Sequence, residues 1–120
     1  MAIEKKTNPN LVRLINDLKA KAREEDAPIW RDVAERLEKS SKNWAEVNLS
    51  TIQRYTSDGD LVLVPGKVLA SGYLTKKLTI GAYRASERAK QMIEESGGKF
   101  ITIQEMAEKN PKGSGIRIMG

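Results

Sequence analysis

Residues 61–98 read LVLVPGKVLASGYLTKKLTIGAYRASERAKQMIEESGG. The run opens on Leu61-Val62-Leu63-Val64, apolar at every position, the pattern of a central strand covered on both faces. Pro65 is expected to end that strand, and Gly66 to let the backbone come close to another group. Val68-Leu69 reads as a short strand, Ala70-Ser71-Gly72 as a bend, and Tyr73-Leu74-Thr75 as a turn onto Lys76-Lys77. Leu78, Ile80 and Ala82 then alternate with Thr79, Gly81 and Tyr83 in a second extended run. Ser86 caps a helix with Ala85, Ala89, Met92 and Ile93 inward, and Gly97 or Gly98 supplies its left-handed end. From Leu61 to Ser86 there is no Asp or Glu, while Lys67, Lys76, Lys77 and Arg84 are all present. A one-sign run inside a folded stretch predicts a surface shaped for an anion.

Outward from this stretch, residues 1–7 read as a basic arm carrying Lys5 and Lys6. Asn8 is placed to cap a helix that Pro9 opens, with Leu11, Leu14, Ile15, Leu18 and Ala22 on one face. Lys19, Lys21 and Arg23 gather at its end, where the helix dipole favours cations, and read as a solvated face. Asp26 and Pro28 predict a second helix with Trp30, Val33, Ala34 and Leu37 inward, ending near Lys39. Trp30 on that apolar face reads as core; a polar loop with Lys42 exposed leads to Trp44. Ala45 to Leu49 reads as a short strand, and Ser50 with Gln53 as a capping box opening a helix with Ile52 and Tyr55 inward. Asp58-Gly59-Asp60 lacks the further oxygen ligands of a calcium loop and reads as a turn. Downstream, Phe100-Ile101 is a short strand, and Thr102 with Glu105 is a capping box for a helix that Asn110-Pro111 stops. The last residues, 111–120, read as a basic tail carrying Lys112 and Arg117. Fold class is therefore expected to be mixed α/β: an N-terminal helical pair over 8–44, then a strand-and-helix stack over 45–110.

Composition narrows function. The 120 residues are expected to form one domain. No run approaches about 18 apolar residues, so no membrane partner is expected, and the polar opening MAIEKKTNPN is not read as a secretory signal. Cysteine and histidine are both absent, which excludes Ser-His-Asp and Cys-His catalysis and thiolate-bound zinc. Net charge is +5, from 21 basic against 16 acidic residues, and points to a polyanionic partner. Gly66-Lys67 is no phosphate-binding loop, since Gly59 is wrongly spaced and Val68 stands where a Ser or Thr would hold magnesium. Glu24, Glu25 and Asp26 cluster on a helix–helix turn with no base beside them, so no enzyme, small-molecule substrate, metal or cofactor is expected. Aromatic content is 5%, and most of those rings read as buried, which argues against a single-strand stacking platform.

VLVPGKVLASGYLTKKLTI followed by AYRASERAKQMIEESGG, with KTNPNLVRLI before and AEVNLSTI and GSGIRIMG at their places, resembles the archaeal form of the large-subunit ribosomal protein family eighteen-e. It is similar, more distantly, to the C-terminal part of large-subunit protein fifteen. The resemblance runs over essentially the whole chain. It implies an irregular strand-strand-helix superhelix, a cytoplasmic place on the large ribosomal subunit, and contact with large-subunit rRNA and neighbouring subunit proteins. Together with the one-sign run it nominates an rRNA-binding set: Lys5, Lys6, Thr7, Asn8, Asn10, Arg13, Gly66, Lys67, Lys76, Lys77, Arg84, Lys112 and Arg117. The alternative is a basic protein-interaction module that docks an acidic partner.

Overall fold

The apolar run at Leu61 becomes the central strand of a five-stranded sheet in which every pairing is parallel. The computed structural model describes residues 8–120, so the expected arm at 1–7 lies outside the described residues. The elements run α1 (Pro9–Glu24), α2 (Pro28–Glu38), a single 3-10 turn (Ser41–Asn43), β1 (Ala45–Asn48), α3 (Leu49–Tyr55), β2 (Leu61–Leu69), β3 (Thr79–Ala85), α4 (Glu87–Glu95), β4 (Lys99–Thr102), α5 (Ile103–Lys109) and β5 (Ile116–Ile118). The class is mixed α/β with an N-terminal helical pair, as expected. β2, β3 and α4 make one strand-strand-helix unit, flanked by β1–α3 and β4–α5. No described helix is long and apolar enough to cross a membrane.

A parallel sheet needs both faces covered, because its crossovers lay helices on it. β2 meets this need by alternation. Val62, Val64 and Val68 join a core with Leu49 and Ile52 of α3 and with Ala89 and Ile93 of α4. Leu63 points the other way, into a core with Leu14, Ile15 and Leu18 of α1, Trp30 and Leu37 of α2, and Ile103 and Met106 of α5. Strand order explains why α5 changes sides. From β1 to β4 the chain steps across the sheet in one direction, and from β4 to β5 it returns to pair with β2. A crossover of unchanged hand must then lay its helix on the opposite face.

Pro65 does not end the strand. The register passes from Val64 opposite Ala82 to Lys67 opposite Arg84, so β2 holds one extra residue and continues to Leu69. A bulge lets the ladder pass a residue that has no N–H to donate. Gly66 does permit a close approach, and the group that approaches is β1: a Cβ there would lie 2.1 Å from the Ala45 carbonyl oxygen.

Three local expectations fail for identifiable reasons. Asp26 does not cap α2; it takes the left-handed conformation (φ 51°) that turns the chain out of α1, and Ala27 precedes α2 without a side-chain cap. Ser50 and Gln53 form no capping box, since α3 starts two residues earlier, after Asn48, and Gln53 binds Thr75 instead. Tyr55, expected inward, is exposed. The tail is also no tail. Ile116–Ile118 pairs with Leu61–Leu63 along the edge of β2 whose other half pairs with β1. Gly120 meets Ala45, and its carbonyl oxygen accepts from Arg36 Nη1 at 2.9 Å.

The Thr102–Glu105 box is formed in both directions, at 3.1 and 2.9 Å. The Thr102 backbone amide, then its hydroxyl, lowers the Glu105 pKa, and Lys109 adds to the effect. A lowered folded value means that the contribution is present above the ordinary value of 4.5 and lost as pH falls below it. Urea midpoints of wild type and Glu105→Gln should therefore differ at about pH 6, and the difference should shrink as pH falls below 4.5. Gly66→Ala should be much worse than either, lowering stability by about 2 kcal/mol or more, because the backbone of β1 must move to admit the methyl.

Candidate nucleic-acid interface

Several of the nominated residues meet at Tyr83, which in the sequence only marks the alternation of a strand. Asn8 caps α1 with its Oδ1, which accepts the amides of Asn10 at 2.9 Å and Leu11 at 3.4 Å. Its Nδ2 donates to the Tyr83 hydroxyl at 3.3 Å, across 75 residues of chain. The first turn of α1, with the positive end of its dipole, is thereby tied to the far end of β3. Trp44 meets the Tyr83 ring edge-on, with centroids 5.0 Å apart and planes at 72°. The Arg84 guanidinium lies 5.6 Å from the same ring's centroid.

Strand register brings the next residues in. Glu46 of β1 pairs with Lys67 of β2, and Lys67 pairs with Arg84 of β3. Neighbouring strands lie about 4.8 Å apart, so the three exposed side chains form one row with two adjacent cations. Like charges directly opposite each other are unfavourable. Among the described residues neither Lys67 nor Arg84 makes a salt bridge, so an anion bound between them would relieve that repulsion. Backbone pairing sets the place of both cations, with Glu46 on the far side of Lys67.

The remaining candidates separate into free and committed groups. Asn10 and Arg13 are exposed on α1, three residues apart and hence on one side of the helix, adjoining the Asn8 end. Lys77 is exposed, and its backbone amide donates to Asp58 Oδ1 at 2.8 Å. Lys76 is half-buried, and its ammonium donates to the Gln53 carbonyl and, at very short range, to the Thr56 carbonyl. It closes the C-terminal end of α3, the role for which a cation suits a helix end. Gly66 is buried beneath Ala45. Lys112 is paired with Glu25 at 3.3 Å, joining the α1–α2 turn to the segment before β5. Arg117 is exposed on β5, in register with Val62, which places it on the sheet face opposite Leu63. Lys5, Lys6 and Thr7 lie outside the described residues. The structure thus gathers Asn8, Lys67 and Arg84 around Tyr83, and sets Lys76, Lys112 and Arg117 elsewhere.

Among the described residues no group of acidic side chains is placed to hold a metal ion. None of the candidates lines the open groove of about 380 Å³ between α1 and α2 or that of about 250 Å³ between α1 and α5. Asp58 and Asp60 accept backbone amides in their turn. The aromatic expectation needs correction. Of the six aromatic residues only Trp30 is fully buried, its Nε1 donating to the Pro111 carbonyl at 2.8 Å; Trp44, Tyr83 and Phe100 are half-buried and Tyr55 and Tyr73 exposed.

Fold and site together define a small basic α/β protein with an exposed pair of cations placed by strand register. Residues 2–120 match the family described as ribosomal protein 60S L18 and 50S L18e. The large ribosomal subunit protein eL18 of Archaeoglobus fulgidus is 47% identical over 115 residues, 96% of this chain and 98% of that protein. The protein of the same name in Methanoregula boonei is 49% identical over 114 residues, 95% of this chain and 94% of that protein. That of Methanococcus maripaludis is 49% identical over 113 residues, 94% of each. The chain belongs to this L18/L18e family of ribosomal proteins, which are structural components and not enzymes.

The division of the lysines can be measured. Lys76→Ala should lower stability by about 1–2 kcal/mol, because two helix-end carbonyls lose a charged donor, and should leave the salt dependence of RNA binding unchanged. Lys67→Ala should leave the melting temperature unchanged and reduce the log–log salt slope by about one unit.

Proposed function

We propose that the protein is a constituent of the large ribosomal subunit that clamps folded rRNA through backbone phosphates. The Lys67–Arg84 pair beside the N-terminal end of α1 carries this reading. It is a pair of cations set by strand register, with no salt bridge to either among the described residues, next to the positive end of a 16-residue helix. Such a surface suits phosphates that approach from two directions, as where RNA segments meet. Phosphate contacts position a protein without reading sequence. A-form helices hide their major-groove edges, so the object recognised is RNA shape. The names of its relatives, large ribosomal subunit proteins, support the same place in the cell: the cytoplasmic ribosome. Residues 8–120 act as one body in this role, since a single sheet carries both cores.

With about six phosphates contacted, affinity for structured RNA should fall on the order of a thousandfold between about 50 and about 200 mM salt. In cell lysate the tagged protein should sediment with large subunits and full ribosomes at moderate salt with magnesium, and leave them after RNase or high salt. Association that survives nuclease would instead identify an acidic protein as the partner and overturn the RNA reading.

A further inference from the structure

Helix α3 and the loop over 70–78 form one unit, and that unit carries the two exposed large hydrophobic side chains of the described residues: Tyr55 at 56% and Tyr73 at 63% exposure. A lone exposed tyrosine is ordinary. What distinguishes Tyr73 is how its backbone is held. Before it, the Ser71 carbonyl accepts the Ser50 amide at 3.0 Å. Gly72, at φ +87°, lies so close to α3 that a Cβ would be 2.4 Å from Ser50 Cβ. After it, Leu74 is buried, and Gln53 grips Thr75 twice, accepting its amide at 2.9 Å and donating to its hydroxyl at 3.0 Å. Lys76 then fastens the loop to the end of α3. The chain is clamped on both sides of a ring that is left in solvent. A contact surface ordered before its ligand arrives loses less entropy on binding.

The surroundings choose the ligand. Lys77 in the same loop is exposed, and the Arg54 guanidinium lies 5.8 Å from the Tyr55 ring centroid. The carboxylates of the adjoining turn are directed at backbone amides: Asp58 accepts the Lys77 amide and Asp60 the Ser57 amide. Protein interfaces surround aromatic anchors with apolar residues and deplete charge at the centre. Here Arg54 lies over the Tyr55 ring and Tyr73 shares its loop with the exposed Lys77, the combination on which unpaired bases stack while their phosphates meet cations.

We propose that the α3–loop unit is a second RNA-contacting surface, on which Tyr73 stacks against an unpaired base and Tyr55, backed by Arg54, offers a second ring. It rests on the RNA-binding reading above but concerns bases out of their helix rather than the phosphates of a folded backbone. Tyr73→Ala, Tyr73→Phe and Lys67→Ala are to be titrated with deproteinised large-subunit rRNA across a salt series. Tyr73→Ala should bind roughly fivefold weaker or more at every salt concentration, because stacking on a base is lost. Its salt slope and melting temperature should match wild type, since the ring is uncharged and exposed, and Tyr73→Phe should bind as wild type. Undiminished binding by Tyr73→Ala, with the slope still reduced in Lys67→Ala, overturns the stacking surface and leaves the phosphate clamp standing. Absence of rRNA binding by the wild-type chain overturns both. Ultraviolet cross-linking of intact large subunits should join Tyr73 to a nucleotide; a Tyr73 cross-link to a protein overturns the proposal in favour of a protein contact.

Discussion

Every part of this structure depends on burying β2 on both faces. Val62 and Val64 look into one core and Leu63 into the other, so neither face of that first half of the strand is left for solvent. One side must be covered by α3 and α4 and the other by α1, α2 and α5, which accounts for the large share of helix around a small sheet. The strand's neighbours follow from the same demand. β1 and β5 divide one edge of β2 between them, and β3 takes the other. The end of the chain is therefore part of the sheet, and Arg36 of α2 holds its last carbonyl.

That burial also fixes where the Lys67–Arg84 pair stands. Lys67 and Arg84 sit just beyond the bulge at Pro65-Gly66, where β2 has one residue more than β3. The bulge re-aims the strand after Val64 and carries Lys67 into solvent opposite Arg84, while Val68 returns to the core. Gly66 serves this indirectly: it lets β1 come close enough to pair, and β1 brings Trp44 to the Tyr83 ring. Gly66 stands in the nominated rRNA-contact set; in the structure its backbone lies against Ala45 of β1, and the exposed cation beside it is Lys67.

The sorting of the lysines follows a matching logic. Lys76 and Lys77 are adjacent in sequence and equal in charge, yet one is bound to helix-end carbonyls and the other stands in solvent. The difference lies in which of them faces α3 when Leu74 and Leu78 are buried. Lys112 is likewise taken by Glu25, a residue far from it in the chain. A count of cations overstates a binding surface whenever part of that charge holds the fold together.

Much was legible without coordinates, because it rests on local physics. The Asn8–Pro9 start, the Thr102–Glu105 box, the Ser86 cap and the apolar faces of α1 and α2 depend on residues within a turn or two of each other. The covered strand at Leu61 was legible from four apolar residues, and the resemblance to a ribosomal family from ordered segments along the chain. What local patterns could not carry were contacts between distant residues: β5 joining β2, Asn8 reaching Tyr83, Gln53 turning from its own helix to Thr75, and Lys76 closing α3. Composition and periodicity determined that the chain is a basic α/β protein built on one buried strand. Only the tertiary structure decided which cations remain free, because a lysine's partner is set by what folding brings beside it, not by its neighbours in sequence.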